Sequence, residues 1–379
     1  MRILFFDMGS YTYRDVKSVM EGLGHEVDTL YYHFADRYKD DFFVNRFRYE
    51  LDRFQYDIVF SVNFFPLIAI ICRDKGIPYV SWSYDSPLDE RMQNYFSYDT
   101  NHIFLFDRQE VTEYNLKGYD RVFHMPLAVN TDRIDRLNLS HVITRDVAFI
   151  GKIYSSDLST LMYSAGDYIK GYVDALMQVQ SELYGCNILE RNISDDLIDT
   201  LNESYRRIGQ DRLRLSRRGL AFAIATQITH FERSMLLNEL ADNHDVHIYT
   251  ADKTELSNKV SVHGPVKYYD RMYEVFASSR LNLCPTLRSI SSGIPLRALD
   301  ILGSGSLLFS NYQPELAEYF QDGVSVVMYE SIDDAIAKAE YYLAHPDECR
   351  TIAEAGREIA VKAFDYKDRI MTMLNGTDS

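Results

Sequence analysis

The chain is poor in the residues that build metal and disulfide sites. Its four cysteines, Cys72, Cys186, Cys284 and Cys349, lie far apart and form no Cys-x-x-Cys pair. Neither a structural zinc site nor a disulfide framework has support from such spacing. The ten histidines show no His-x-x-x-His spacing, so no metal is expected. Positive charge is also scarce: 40 Lys and Arg against 56 Asp and Glu give a formal net charge of −16. Neutralising a phosphate backbone needs surplus cations, which argues against a general nucleic-acid binder. An anionic ligand would need a local cationic pocket. The best uninterrupted apolar run, Ile68 to Cys72, is far too short to span a membrane. The opening MRILFFDMGS has one basic residue and an acid at Asp7, which is no secretory signal, and the expected location is the cytoplasm.

What is present is a globular composition, 46% hydrophobic over 379 residues, long enough for two domains. Short apolar runs alternate with helical stretches. RILFFD at 2–7, HEVDTLYY at 25–32, DIVFSV at 57–62, PYVSWS at 78–83, HIFLFD at 102–107 and RVFHMPL at 121–127 read as buried parallel strands. The pattern restarts with DVAFIG at 146–151. It resumes at 246–250, 280–284, 306–310 and 325–329, with Ser331-x-x-Asp334 as a capping-box-like helix start. Between these lies a helical insertion at about 156–219, where Leu158, Leu161, Ile169, Val173, Leu176 and Leu183 recur at helical spacing. The tail from about Pro346 is expected to be helical with a break at Gly356. Strands separated by helices imply doubly wound parallel sheets. The expected fold is α/β with two tandem Rossmann-like domains, 1–140 and 141–379, the second carrying the insertion.

Ligands in open parallel sheets bind beyond the C-terminal strand ends, which directs attention to four loops. Gly9-Ser10 after the first strand would let a ligand approach the backbone and the next helix start, or is an ordinary turn. It is no Gly-x-Gly-x-x-Gly fingerprint, and the chain has no Walker motif. In Trp82-Ser83-Tyr84-Asp85-Ser86-Pro87, Asp85 can serve as a general base or bind a sugar hydroxyl, and Trp82 can offer a stacking face. The competing reading is a turn with a core tryptophan. In CPTLRSISSGIPLRALDILGSGS, Arg288 and Arg297 with a helix opening at Gly293 to Pro295 make an anion site suited to a diphosphate. Asp300 can accept hydrogen bonds from a ribose diol. Gly151-Lys152 can help hold phosphate. The arginines between Arg206 and Arg218 alternate with acids and read as a solvated helix face.

Together these stretches resemble a known family. Leu23-Gly24-His25-Glu26-Val27 resembles a junction of GT-B glycosyltransferases. The run SVNFFPLIAIICRDKGIPYVSWSYDSPL, with IFLFD, MPLAVN and DVAFIGKIY, is similar to the spore-maturation (CgeB-like) glycosyltransferases. The run from Ser292 to Ile359 is similar to the group 1 glycosyltransferase domain. The resemblance implies a nucleotide-sugar bound mainly by the second domain, an acceptor approached from the first, and no metal on the diphosphate. Where the family carries a Glu for the ribose this chain has Asp300. A second Glu eight positions earlier is replaced by Ser292, and a His-Asp pair by Tyr84-Asp85.

The expected function is therefore transfer of a sugar from a nucleotide-diphosphate donor to an acceptor hydroxyl, without metal or other cofactor. Asp85 and Arg297 are the expected catalytic residues. Gly151, Lys152, Arg288, Gly293, Arg297 and Asp300 would bind the donor, with Gly9, Ser10, Trp82 and Tyr84 on the acceptor side. The acceptor is a glycan, a protein or a small molecule. The alternatives are a non-catalytic nucleotide-sugar or glycan-binding scaffold of the same fold, and a sugar-nucleotide epimerase.

Overall fold

A computed structural model describes residues 1–253 and 255–376. The chain divides into two compact units. The first holds Met1–Thr131, Gly293–Leu299 and the tail from Ala360; the second holds Asp132–Ser292 and Asp300–Ile359.

The first unit runs β1 (Arg2–Asp7), α1 (Tyr13–Gly22), β2 (Glu26–Tyr31), α2 (Asp41–Arg53), β3 (Ile58–Val62), α3 (Pro66–Lys75), β4 (Tyr79–Ser83), β5 (Asn101–Leu105), α4 (Arg108–Leu116) and β6 (Val122–His124). The six strands form one parallel sheet in the order β2-β1-β3-β4-β5-β6. β3, β4 and β5 are buried at every position, as central strands covered on both faces must be. Their runs therefore do not alternate apolar with charged residues, and the polar positions they hold, Ser61, Ser81, Ser83, Asn101 and His102, are buried as well. On one side of the sheet Phe6, Phe43, Phe47 and Phe65 pack edge to face or tilted. α2 begins where the Asp40 carboxylate accepts from the Phe43 N–H at 2.9 Å.

The second unit continues with α5 (Thr131–Asp135), β7 (Arg145–Ile150), α6 (Leu158–Leu161), α7 (Asp167–Glu182), α8 (Leu189–Asn192), α9 (Asp195–Arg207), α10 (Arg217–Leu240), β8 (Val246–Tyr249), β9 (Ser261–His263), α11 (Arg271–Ala277) and β10 (Ser279–Leu283). It ends with α12 (Leu296–Gly303), β11 (Leu308–Asn311), α13 (Pro314–Tyr319), β12 (Val327–Tyr329), α14 (Ile332–Ala344) and α15 (Pro346–Ala363), before α16 (Tyr366–Asn375). α12 and α15 each run across a boundary between the units. The second sheet is also parallel, ordered β12-β11-β10-β7-β8-β9.

Residues 158–240 carry five helices with a core of their own, in which Val173, Leu201, Leu220 and Ile224 are buried. α10 is one continuous helix of 24 residues. Ser331 caps α14 by accepting from the Asp334 N–H at 3.0 Å, while the Asp334 carboxylate accepts from the Glu330 N–H at 3.1 Å. The capping box is thus offset by one residue on its return arm.

Two expectations about the tail are corrected. α15 passes through Gly356 without a break. A Cβ there would stand 2.8 Å from the Leu302 side chain and nearer still to the Ser325 carbonyl oxygen. The glycine permits a close helix contact rather than ending the helix. The tail also belongs to the first unit. The Val129 N–H donates to Phe364 O at 2.9 Å, Val129 bridges Asp365, and Tyr366 meets Trp82 edge-on at 5.7 Å.

Candidate functional site

In each sheet the strand order reverses at one point: between β1 and β3 in the first, and between β7 and β10 in the second. Backbone groups at such a switch point diverge and leave a crevice at the C-terminal strand ends.

In the first unit, Gly9 follows β1 with φ +90°, and the Ser10 N–H and Oγ both donate to Asp7 Oδ1 at 2.9 Å. Beside it, Asn63 follows β3 with φ 68°, in the left-handed region. Asn tolerates that conformation better than other side chains because its short amide can bond locally. Here the Asn63 Nδ2 donates to Asp85 Oδ2 at 2.8 Å, and its Oδ1 accepts from the Tyr84 N–H at 3.1 Å. One amide therefore fixes both the loop after β4 and the Asp85 carboxylate. From the other side Glu110, at the start of α4, accepts from Ser86 Oγ and from the Leu88 N–H, each at 2.8 Å. Glu110 is only 5% exposed, so these are strong charge-assisted bonds in a dry setting. The loop is held at both ends while Asp85 stays exposed.

Asp85 faces a cavity of about 550 Å³, lined also by Asn63, Arg37, Tyr38, Asp89 and Arg91. Arg91 pairs with Asp89 at 2.6 Å and lies over the Tyr38 ring at 4.3 Å. Burial and the Asp89 carboxylate push the Tyr38 hydroxyl up to about 12. Burial, then the nearby Asp85 charge, raises the Tyr84 hydroxyl, so it stays protonated and able to donate. With acceptors and donors alternating around it, the cavity suits a polar, hydroxyl-bearing molecule.

Trp82 does not offer a stacking face. It is 4% exposed, its indole N–H donates to Met125 O at 3.2 Å, and Tyr366 covers its ring. The core reading of this tryptophan is the one the structure supports, since a buried indole satisfies its single donor internally.

In the second unit, Gly151 and Lys152 follow β7, and Pro285 follows β10. Arg233 on α10 joins the two loops, donating to Lys152 O at 2.5 Å and to Pro285 O through both Nε and its other terminal nitrogen. Its guanidinium is 8% exposed and lies 5.2 Å from the Phe149 and Tyr154 ring centres. It makes no ion pair with a carboxylate among the described residues. The switch point of the second sheet therefore carries an uncompensated cation in its wall, with the exposed Lys152 ammonium beside it. This favours an anion at that edge.

Arg288 is not available to a diphosphate. Its Nε donates to Glu232 Oε2 at 2.8 Å, with side chains 5% and 3% exposed, and its terminal nitrogens reach Leu183 O at 2.8 Å and Ser181 O at 3.4 Å. The guanidinium also lies 3.8 Å over the Tyr184 ring. Its charge and donors are committed inside the unit. Asp300 is 1% exposed, and its Oδ1 accepts from Tyr268 and Tyr273 hydroxyls at 2.9 Å each. Burial, then the Asp300 charge, lifts the Tyr273 hydroxyl well above its ordinary range. Tyr273 in turn accepts from Arg133 at 2.9 Å. Ser292 Oγ donates to Glu315 Oε1 at 2.7 Å. Arg297 is half-buried on the first turn of α12. Gly293 is required by packing: a Cβ would stand 2.7 Å from the Phe106 ring and 2.9 Å from its carbonyl oxygen.

Sequence reasoning missed Asn63, Glu110, Glu232 and Arg233. The first had a signal, an Asn directly after a buried strand, where a left-handed turn is common. Glu232-Arg233 interrupts an apolar helical run, and charges in such a place need partners. Glu110 left no local trace, since its partners lie 22 and 24 residues away.

Residues 232–375 match the glycosyl transferase-like family. Over its whole length the chain superposes on solved glycosyltransferases. A glycosyltransferase from Rickettsia africae is 12% identical with a TM-score of 0.55, covering 99% of this chain and 97% of that one. Sucrose-phosphate synthase from Thermosynechococcus elongatus is 12% identical with a TM-score of 0.54, covering 99% and 98%. HepE from Anabaena, solved with UDP, is 12% identical with a TM-score of 0.53, covering both chains fully. The chain has the GT-B fold. The expected α/β architecture with two Rossmann-like sheets and the resemblance to GT-B glycosyltransferases are both borne out. No curated protein matches the chain. Among the described residues no helix of this GT-B chain is long and apolar enough to cross a membrane.

Proposed function

We propose that the protein transfers a sugar from a nucleotide-diphosphate donor to an acceptor hydroxyl. The observation that carries this reading is the glycosyl transferase-like match over 232–375, which contains Arg233, Gly293, Arg297 and Asp300, in a chain of GT-B fold. HepE was solved with UDP, which makes a uridine donor the first to try.

In the proposed reaction the acceptor oxygen bonds to the anomeric carbon as the bond to the diphosphate oxygen breaks. Negative charge grows on the departing diphosphate. Lys152, Arg297 and the positive end of the α12 dipole offset it, and Arg233 fixes the Lys152 loop and adds its field. Asp300, fixed by the Tyr268 and Tyr273 hydroxyls, is the acidic residue proposed for the ribose side of the donor. Gly151 lets the backbone approach the phosphates, and Gly9, Ser10 and Tyr84 face the acceptor. If the anomeric centre inverts, Asp85 takes the acceptor proton; if it is retained, the proton passes to the departing diphosphate oxygen and Asp85 orients the sugar. These residues supply the charge compensation without a metal.

The test is a thermal-shift screen against nucleotide diphosphates and UDP-sugars, with and without EDTA, followed by turnover in wild type and Arg297→Ala. A shift that survives EDTA, with donor consumption only when an acceptor is present and lost in Arg297→Ala, supports the proposal. Conversion of the donor with no acceptor would show an epimerase, and binding without any turnover would show a scaffold. Full activity in Arg297→Ala at saturating donor would remove Arg297 from the site.

A further inference from the structure

The second unit has a cavity of about 450 Å³ between α7, α10 and the start of α14. It contains none of Lys152, Arg233, Arg297 or Asp300. Its volume is that of a small-molecule site.

Its wall is apolar. Ile228, Phe231 and Met235 lie on one face of α10, joined by Met177 and Ile332. Phe231 and Met235 are 49% and 50% exposed, although α10 is otherwise largely buried. Two methionines make the wall adaptable to ligand shape.

Its charge is one-sided. Asp174, Glu182, Glu232 and Asp333 line it against a single cation, Arg288. Glu232 already neutralises Arg288 at 2.8 Å on the floor. Asp174, Glu182 and Asp333 have no ion-pair or hydrogen-bond partner among the described residues, and they stand beside exposed aromatic and thioether groups. An anion would meet three uncompensated carboxylates with no free guanidinium to receive it. A neutral apolar ligand would leave those charges unused and partly desolvated.

The geometry points to a binding site for a small organic cation with an apolar body. Its hydrocarbon part lies against Met177, Phe231 and Met235, with the Phe231 ring free for a cation–π contact, and its ammonium faces the carboxylates. This site goes beyond the transferase reading and does not depend on it.

The experiment is calorimetric titration of the full-length protein with 3-phenylpropylammonium, 3-phenylpropanol and 3-phenylpropanoate, which share one hydrocarbon body. Saturable binding of the ammonium is expected, with the alcohol about tenfold weaker or worse and the carboxylate silent. Met235→Trp fills the cavity and abolishes binding. The double variant Glu182→Gln/Asp333→Asn removes the preference for the amine over the alcohol. All three changes are at exposed positions, and an unchanged melting midpoint confirms that each variant folds. Equal affinity for the three compounds, tighter binding of the carboxylate, wild-type binding in Met235→Trp, or no saturable heat up to about 10 mM ammonium overturns the assignment.

Discussion

Asn63 holds Asp85. Its side-chain nitrogen lies 2.8 Å from Asp85 Oδ2, and the backbone that puts it there has φ 68°. The orientation of an exposed carboxylate thus depends on a residue 22 positions earlier in a conformation few side chains accept.

Two substitutions separate the backbone role of Asn63 from its amide role. Asn63→Gly keeps the left-handed turn and loses the amide; Asn63→Ala loses the amide and adds strain of about 1 kcal/mol. Urea unfolding should find Asn63→Ala the less stable variant. Steady-state transfer assays should find kcat reduced about 100-fold in both, because each leaves Asp85 unaimed. A wild-type kcat in Asn63→Gly would detach Asp85 from the chemistry.

Glu110→Gln tests the other anchor of the same loop. An amide presents one acceptor where the carboxylate uses both oxygens, on Ser86 and Leu88. A buried donor left without its acceptor costs about 1–3 kcal/mol, which chemical denaturation of wild type and variant will measure. Ser86→Ala should cost less, since it removes the donor along with its need.

In the second unit, Glu232→Ala leaves the Arg288 guanidinium buried without its carboxylate. Breaking such a pair costs about 3–5 kcal/mol, visible as a lowered urea midpoint. Glu232→Gln should lose less, because its amide oxygen can still accept from Arg288 Nε, as Glu232 Oε2 does at 2.8 Å, at the expense of the Tyr329 hydroxyl bond.

Stability should also respond to acid through His102. Burial on β5, and then the Arg121 charge, hold this imidazole below its ordinary pKa of 6.5. The unfolded chain therefore binds the proton more readily than the native one. The contribution is present above pH 6.5 and is lost as pH falls through 6.5 toward the native value. His102→Phe should flatten the difference in unfolding free energy between pH 7 and pH 5, measured against wild type by urea titration at each pH. An unchanged slope would mean that His102 titrates normally.

Both sheets were legible because their strands are continuous apolar runs, RILFFD and DVAFIG among them, broken by Gly and Pro. Burial on two faces leaves that signature in sequence. β9, the three-residue edge strand Ser261–His263, was missed because it is largely exposed and carries no such run. The Asp85 loop was legible as a loop at a strand end, but the reach of its anchors Asn63 and Glu110 was not, since each acts across more than twenty residues. Arg288 was misread because an arginine beside a glycine-rich turn looks the same whether it meets a phosphate or a buried Glu232 on a distant helix. Trp82 was ambiguous for a like reason: only the packing of Tyr366 decides which way its ring is used.

The return of α16 to the first unit sets an order on biosynthesis. Tyr366, Ile370 and Met373 complete a core whose sheet is finished by His124. Residues 132–359 leave the ribosome in between, a delay of roughly 11–46 s at about 5–20 residues per second. For that interval the Trp82 ring lacks its aromatic cover and Val129 lacks its strand-like partner. The first sheet therefore keeps two of its contacts open until residues 365 and 366 emerge, and a chain stopped before them leaves Trp82 and Val129 without these partners.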